Sequence, residues 1–343
     1  MNKTFSLNTI VDYTKQYHLP LSVHWDLTEF CNLKCKHCFI NKKPKYVDLP
    51  LALEVVDFLK DKGFFLVTLS GGEALLHPHF PIIYKALKQA GMLITLFTNG
   101  TNFTSEIQEL LSQYKPYKVE VSVYGIDEQS CFEFTGIKGS YNKLIEGLEF
   151  LSDNSINTTL KVPLTIKSQK YIDTIIQMSQ KYGFKYRFGT LILPVLENND
   201  HSVLSERLSA EQIANIIFSF PESYSYYEEY YNSRNDNVSF ESRCSSMMNH
   251  YTICIDAFQF CLNTKNPSYK FFDRKSLYEG FTNITSYRKN MLEAYRESAC
   301  GNCKLNKYCL GCPAYLRLEN GNTNHCNEYL KCLTKEKMKK IHE

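Results

Sequence analysis

No stretch of the 343-residue chain approaches the ~20 consecutive apolar residues that a membrane-spanning helix needs, so such a protein is excluded. The first residues, Met1-Asn-Lys-Thr-Phe-Ser-Leu-Asn8, lack the charged-then-apolar pattern of a secretory signal. Excess charge is missing too: 39 Lys and Arg against 36 Asp and Glu leave +3, which gives no basic footprint for nucleic acid. No nucleic-acid or membrane partner is therefore expected, and a cytoplasmic location is. Disulfides are rare there, so the thirteen cysteines point to metal rather than to cross-links.

The most informative stretch follows a short predicted strand, Leu21–Leu27. Cys31, Cys35 and Cys38 fall within eight residues, at gaps of three and then two. One loop carrying three close thiolates can grip a metal centre from one side. Iron–sulfur clusters normally take four cysteines, so three suggest a four-iron cluster with one iron open. The alternatives are half of a zinc site or three unrelated thiols. Zinc knuckles rarely use the three-residue gap and need four ligands nearby.

This spacing, with the aromatic His37 before the third cysteine, resembles the signature of the radical S-adenosylmethionine (radical SAM) enzymes. The resemblance implies that the open iron chelates the amino and carboxylate groups of SAM's methionine. It also implies cleavage of SAM to a 5′-deoxyadenosyl radical that abstracts hydrogen.

Further along, apolar runs alternate with helical periodicities. Asp48 is placed to cap a helix carrying Leu53, Val56 and Leu59, with Gly63 as its stop. Phe64–Leu69 reads as a strand buried on both faces, ending in Ser70-Gly71-Gly72-Glu73. Strands are also expected at 93–97, 118–123, 158–164 and 186–193, with helices between them. Six such units specify a parallel sheet, and six is fewer than the eight of a closed barrel. The expected fold is α/β, a partial (β/α)6 barrel followed by a small cysteine-rich iron–sulfur domain. The expected division is an N-terminal segment at 1–18, the barrel at 19–196, a helical linker at 197–240 and the cysteine-rich domain at 241–343.

The motifs fall at the C-terminal ends of strands, the edge where parallel βα folds build sites. Gly71-Gly72-Glu73 resembles the family's glycine-rich segment, which implies that backbone and carboxylate meet the ammonium of SAM. Thr98, Asn99 and Ser122 would offer hydrogen bonds to ribose or carboxylate, by position in the family pattern. For each of these residues the plainer reading is a strand-end turn. Lys161 and Arg187 are further carboxylate partners that the sequence does not rank. Val121–Tyr141 is similar to a segment of peptide-modifying radical SAM enzymes, and together the resemblances cover about 20–195.

Past 197 the pattern changes. Ser209-Ala-Glu-Gln212 has capping-box character, Tyr224–Tyr231 is tyrosine-rich, and Ser233–Asn237 reads as a linker. Nine of the thirteen cysteines lie beyond it. Their core, Cys300-x2-Cys303-x5-Cys309-x2-Cys312 followed by Cys326, resembles the SPASM domain, which implies two auxiliary four-iron clusters. The resemblance assigns Cys300, Cys303, Cys309 and Cys326 to an outer cluster. Cys244, Cys261 and Cys312 go to an inner one, with an open iron or Cys254 as fourth ligand. Two departures bear on the inner cluster: the last gap of the run is two rather than three, and the gap before Cys261 is short. A zinc ribbon is the alternative for this region. Cys131 and Cys332 remain unassigned. Cys131 reads as a small buried residue, and a spare thiol could donate a hydrogen atom to a product radical.

Three readings of function follow. The first is a radical SAM/SPASM maturase acting on a ribosomally made peptide or protein, installing a thioether, a carbon–carbon crosslink or an inverted stereocentre. Its implied partners are that substrate, a leader-binding protein and an electron donor such as flavodoxin or ferredoxin. No leader-binding domain is visible before residue 20. The second is an anaerobic sulfatase-maturating, formylglycine-forming enzyme, to which the Cys326-Asn-Glu-Tyr329 ending is similar. The third is a zinc scaffold or RNA-binding module.

Overall fold

A computed structural model describes residues 7–342, apart from 41, 197–199, 233–243, 298–299, 301–302, 307, 310–311 and 322–325. The linker expected at Ser233–Asn237 lies outside the described residues. The chain opens with α1 (Leu7–Gln16), in the segment to which the sequence assigns no structure. The helix is tied down where Asn249 Nδ2 donates to Thr14 Oγ1 at 2.8 Å.

There follow β1 (Ser22–Thr28), α2 (Leu49–Asp61), β2 (Leu66–Gly71), α3 (Phe80–Gln89), β3 (Leu93–Thr98), α4 (Ser105–Gln113) and β4 (Lys118–Ser122). Then come α5 (Glu128–Thr135), α6 (Ser140–Asp153), β5 (Thr158–Pro163), α7 (Ile172–Lys181), β6 (Lys185–Gly189), α8 (Ala210–Phe218) and α9 (Pro221–Asn232). The last elements are α10 (Ser245–Met248), β7 (His250–Cys254), β8 (Ala257–Cys261), β9 (Thr264–Lys270), α11 (Arg274–Glu297), α12 (Pro313–Asn320) and α13 (Glu328–His342).

Local chemistry accounts for several boundaries. The Asp48 carboxylate accepts the N–H of Leu51 and starts α2, with Pro50 in its first turn. Ser209 and Gln212 close a reciprocal capping box on α8. β6 stops at Gly189, four residues short of the expected end, and the chain then runs without strand pairing through Leu193.

All the strands join one sheet in the order β6-β5-β4-β3-β2-β1-β7-β8-β9. From β6 to β7 every neighbouring pair is parallel, and β8 and β9 add an antiparallel hairpin. The β6 and β9 ends do not meet, so the barrel stays open. The cysteine-rich region thus contributes three strands to the sheet begun by the N-terminal half, with β7 paired directly to β1.

The register gives the sheet two chemically different faces. Val23, Trp25, Leu27, Val67, Leu69, Ile94, Leu96, Val119, Val121, Leu160, Val162, Tyr251 and Ile253 share one face and are buried with the helices in a single core. Their alternates Ser22, His24, Asp26, Thr68, Glu120, Lys161, Arg187, Thr252 and Cys254 share the other face, which lines the concave side. β2 therefore departs from the expectation of burial on both faces. Val67 and Leu69 are buried, whereas Leu66, Thr68 and Ser70 are half-buried. Thr68 and Ser70 fall on the same face as Leu66, so the alternation is polar against apolar at two of its three positions.

Leu69, fully buried in the core, tests this assignment. Leu69→Ala should lower the unfolding free energy by about 2–5 kcal/mol in a urea titration, and Leu66→Ala clearly less. Equal losses would contradict the one-sided burial of β2.

Candidate metal centre

The cysteine loop leaves the end of β1 and crosses directly over the end of β2. Gly72 N–H donates to the Thr28 carbonyl at 2.7 Å and Glu73 N–H to that of Phe30 at 2.8 Å. A Cβ on Gly71 would stand 2.2 Å from the Thr28 carbonyl oxygen, and one on Gly72 2.2 Å from that of Phe30. Gly71 also holds φ at +135°. The glycine pair is thus required by the chain's own backbone, because it lets the loop lie on the sheet edge.

Glu73 is 1% exposed. Its carboxylate accepts the Thr98 hydroxyl at 2.9 Å, the Asn99 N–H at 2.7 Å and the Leu75 N–H at 3.2 Å. Both oxygens are engaged within the protein, so the carboxylate joins the end of β2 to the end of β3 from behind the rim. Burial pushes its pKa up to about 7 against those three donors.

Asn99 extends the chain of contacts to the first thiol. Its Nδ2 donates to Asn32 Oδ1 at 2.9 Å and reaches Cys31 Sγ at 3.8 Å. Its Oδ1 accepts from the N–H and hydroxyl of Thr101, and Asn32 Nδ2 donates to that hydroxyl at 2.9 Å. Thr98 and Asn99 hold the loop in register, a use the sequence reading did not foresee. Asn32 and Thr101 carried no signal of their own, being ordinary polar residues beside a motif. Ser122, half-buried at the end of β4, pairs with the Tyr124 phenol.

Cys31, Cys35 and Cys38 are unbridged and half-buried. Burial raises the pKa of Cys31, and that of Cys35 to about 12; Lys42 opposes it and the neighbouring thiols add to it. Lys42 is held beside them by donating to the Leu33 carbonyl at 2.6 Å. Such thiols keep their protons until a cation compensates the charge, so the trio suits a positively charged iron centre. His37 lies 4.8 Å from the Phe134 ring and 5.3 Å from Tyr124, which stack on each other. Burial lowers its pKa to about 4 and its Nδ1 has no partner among the described residues, so it presents a neutral aromatic surface.

The rim cations differ. Arg187 pairs with Glu120, which Lys118 also meets at 2.8 Å. Lys161 makes no ion pair among the described residues. Its Nζ lies 4.4 Å from the Phe97 ring centroid, and burial lowers its pKa to about 8.

The C-terminal thiols are not gathered at one point. Among the described residues, no three His, Cys, Asp or Glu side chains are close enough to hold a single ion. The thiols instead form two loose groups whose members feel one another's charge. Cys312 acts on both Cys244 and Cys261, and Cys244 acts on Cys261. Cys326, Cys309 and Cys303 act on Cys300. Burial is the first cause of the raised pKa of Cys244, Cys261, Cys300 and Cys312. A four-iron cluster spreads its thiolates further apart than a single zinc does, and both groups suit it.

Cys254 is not brought to the Cys244 group. The parallel pairing of β7 with β1 sets it beside Asp26, and the charges acting on it come from Asp26, Glu29, Lys265 and Lys45. It lines a small cavity between the cysteine loop and β7–β8, together with Asp26, Glu29, Phe39, Gln259 and Lys265. Asp26 is itself held by His24 Nε2 at 2.9 Å. Cys131 is buried in α5, and Cys332 is exposed on α13.

Residues 25–179, which contain the cysteine loop, the glycine pair and the rim, match the sequence model of the radical SAM superfamily. The chain carries a radical SAM domain. Over 176 residues it is 28% identical to AlbA, the antilisterial bacteriocin subtilosin biosynthesis protein of Bacillus subtilis strain 168. That alignment covers 50% of this chain and 39% of AlbA. It is 26% identical over 293 residues to an S-adenosylmethionine-dependent nucleotide dehydratase of Flammeovirga pacifica, covering 80% and 89% of the two chains. The alignments span less than half the length of the first curated relatives, 39%, 43%, 41% and 48%. Streptococcus suis SuiB bound to its precursor peptide SuiA superposes with a TM-score of 0.72 at 15% identity, covering 96% of this chain and 83% of SuiB. At that identity the likeness shows the fold. Among the described residues, no helix is long and apolar enough to cross a membrane.

Glu73 gives the radical SAM rim a pH signature. Its folded pKa of about 7 lies above the ordinary 4.5, so between those values the native state keeps a proton that the unfolded chain has lost. Stability should therefore fall as pH rises from about 4.5 to 7, by about 3 kcal/mol. Glu73→Gln should flatten that slope in urea titrations, and an unchanged slope would contradict the assignment.

Proposed function

We propose that the chain is a radical SAM maturase that modifies a ribosomally made peptide or protein. The observation that carries this reading is a radical SAM loop whose sheet continues into a cysteine-rich half that holds two further groups of thiols. The likeness to SuiB, whose structure holds a precursor peptide, and to the bacteriocin biosynthesis protein AlbA supports it. The product is a thioether, a carbon–carbon crosslink or an inverted stereocentre.

In this reading Cys31, Cys35 and Cys38 hold a four-iron cluster. When bound, that cluster supplies the electron that cleaves SAM to a 5′-deoxyadenosyl radical. The neutral ring of His37 offers SAM an aromatic contact. The backbone at Gly71 and Gly72 shapes its cradle, and Glu73 fixes that cradle from behind rather than through a direct contact. Lys161 is the better carboxylate partner, because Arg187 is already held by Glu120.

The cavity between the loop and β7–β8 receives the target side chain. Asp26, oriented by His24, is the carboxylate placed there to accept a proton. Two auxiliary clusters occupy the Cys244–Cys261–Cys312 and Cys300–Cys303–Cys309–Cys326 groups, and a flavodoxin or ferredoxin delivers electrons. The barrel runs from about 19 to 196 and the SPASM region from about 241.

A second reading has its own support. The nucleotide dehydratase of Flammeovirga pacifica aligns along most of both chains, so the substrate would then be a nucleotide in place of a peptide.

Anaerobic assays with SAM and a reductant separate the two. Peptides encoded beside this gene should lose two hydrogens for a crosslink, or gain one deuterium in deuterium oxide for an inverted stereocentre, in the mass spectrometer, and nucleotides should be returned unchanged. Cys35→Ala should abolish 5′-deoxyadenosine. Cys309→Ala should keep part of that cleavage while losing the peptide product. Wild-type peptide modification by both variants would overturn the cluster assignments, and turnover of a nucleotide alone would establish the second reading.

A further inference from the structure

Arg288 on α11 is 5% exposed, so its guanidinium is almost wholly inside the protein. Its central carbon lies 4.1 Å from the Tyr251 ring centroid. Nε and Nη2 find no hydrogen-bond acceptor among the described residues. Among the described residues no carboxylate forms an ion pair with it. Burial works against its charge, and the groups that favour that charge are Tyr251 and the Cys244 thiol. The ring of His250 is also near, but burial lowers its pKa to about 3, so it brings no charge.

Buried guanidinium donors without acceptors are rare in folded proteins, and an uncompensated buried charge is strongly unfavourable. Such a group marks the place of an anion. Among the described residues, the negative centre that its surroundings can build is the Cys244, Cys261 and Cys312 group, whose Cys244 acts on Arg288 directly. Thiolates around a four-iron core leave that unit with net negative charge, and net charge is one of the factors that set a cluster's potential.

We propose that Arg288 is the fixed counter-charge of an anionic iron–sulfur cluster held by Cys244, Cys261 and Cys312, and that it sets that cluster's reduction potential. The proposal rests on the reading of those thiols as a cluster site. Reduction adds one negative charge to the cluster, and a fixed cation beside it stabilises the reduced form. With the counter-charge removed, the oxidised form gains and the potential moves negative. Arg288 acts here as a positioning and tuning residue, with no contact to the reacting atoms.

The test is an anaerobic redox titration, followed by electron paramagnetic resonance, of whole protein as wild type, Arg288→Lys and Arg288→Gln. Iron is measured on each, and Cys261→Ala identifies the signal that belongs to this cluster. Arg288→Gln should shift the oxidised-to-reduced equilibrium of that signal at least tenfold toward oxidised, about 59 mV for a one-electron couple. Arg288→Lys should stay near wild type. Loss of about four irons in Arg288→Gln alone, with retention in Arg288→Lys, would equally support a charge requirement. The same potential and iron in all three would overturn the proposal, as would equal iron loss in both variants, which indicates packing. If Cys261→Ala carries as much iron as wild type, the cluster reading itself fails and the proposal falls with it.

Discussion

The buried carboxylate of Glu73 is the contact on which the site depends. It sits at the end of β2, accepts from the end of β3, and through Asn99 reaches the first cysteine of the loop. Because Gly71 and Gly72 have no side chains, the loop can rest against this brace instead of standing off the sheet. A three-cysteine loop has little intrinsic structure. What holds it in place is the rigid edge of a parallel sheet beneath it, braced by groups that no longer face water.

β1 has an equally central place. Its two neighbours in the sheet are β2, which carries the glycine pair, and β7, which begins the strands of the cysteine-rich half. One strand therefore aligns the loop with both the glycine pair and the cavity beside Cys254. The alternation of faces makes this workable. Trp25 and Leu27 anchor β1 in the core, while His24 and Asp26 project from the same strand into the polar lumen. The Arg207–Glu319 ion pair, joined by Asn327, ties the segment after Cys312 and the residue next to Cys326 back to the barrel.

Much of this was legible in the sequence where the signal is local. Asp48 and Ser209 cap helices because a side-chain oxygen two or three residues ahead of free N–H groups has few other uses. The spacing of Cys31, Cys35 and Cys38 is informative because all three lie on one loop. Features that depend on distant partners were not legible. Phe64–Leu69 is apolar but for Thr68, and the pairing with neighbouring strands decides that Leu66 shares the face of Thr68. Nothing local announces that β7 will pair with β1 across more than two hundred residues, so Cys254 could not be separated from its fellow thiols. Glu73, Thr98 and Asn99 stood out as site residues, yet their mutual hydrogen bonds appear only once two strand ends are brought together. Arg288 lies in a helix rich in polar residues, where nothing local signals its burial.

The central claim is that the loop of Cys31, Cys35 and Cys38 presents an iron with a free coordination position to SAM. Electron paramagnetic resonance of the reduced protein, recorded with and without SAM, addresses it most directly. The account predicts that SAM alters the signal that Cys31→Ala removes and leaves the remaining signals unchanged. A reduced protein whose spectrum is the same with and without SAM would contradict it.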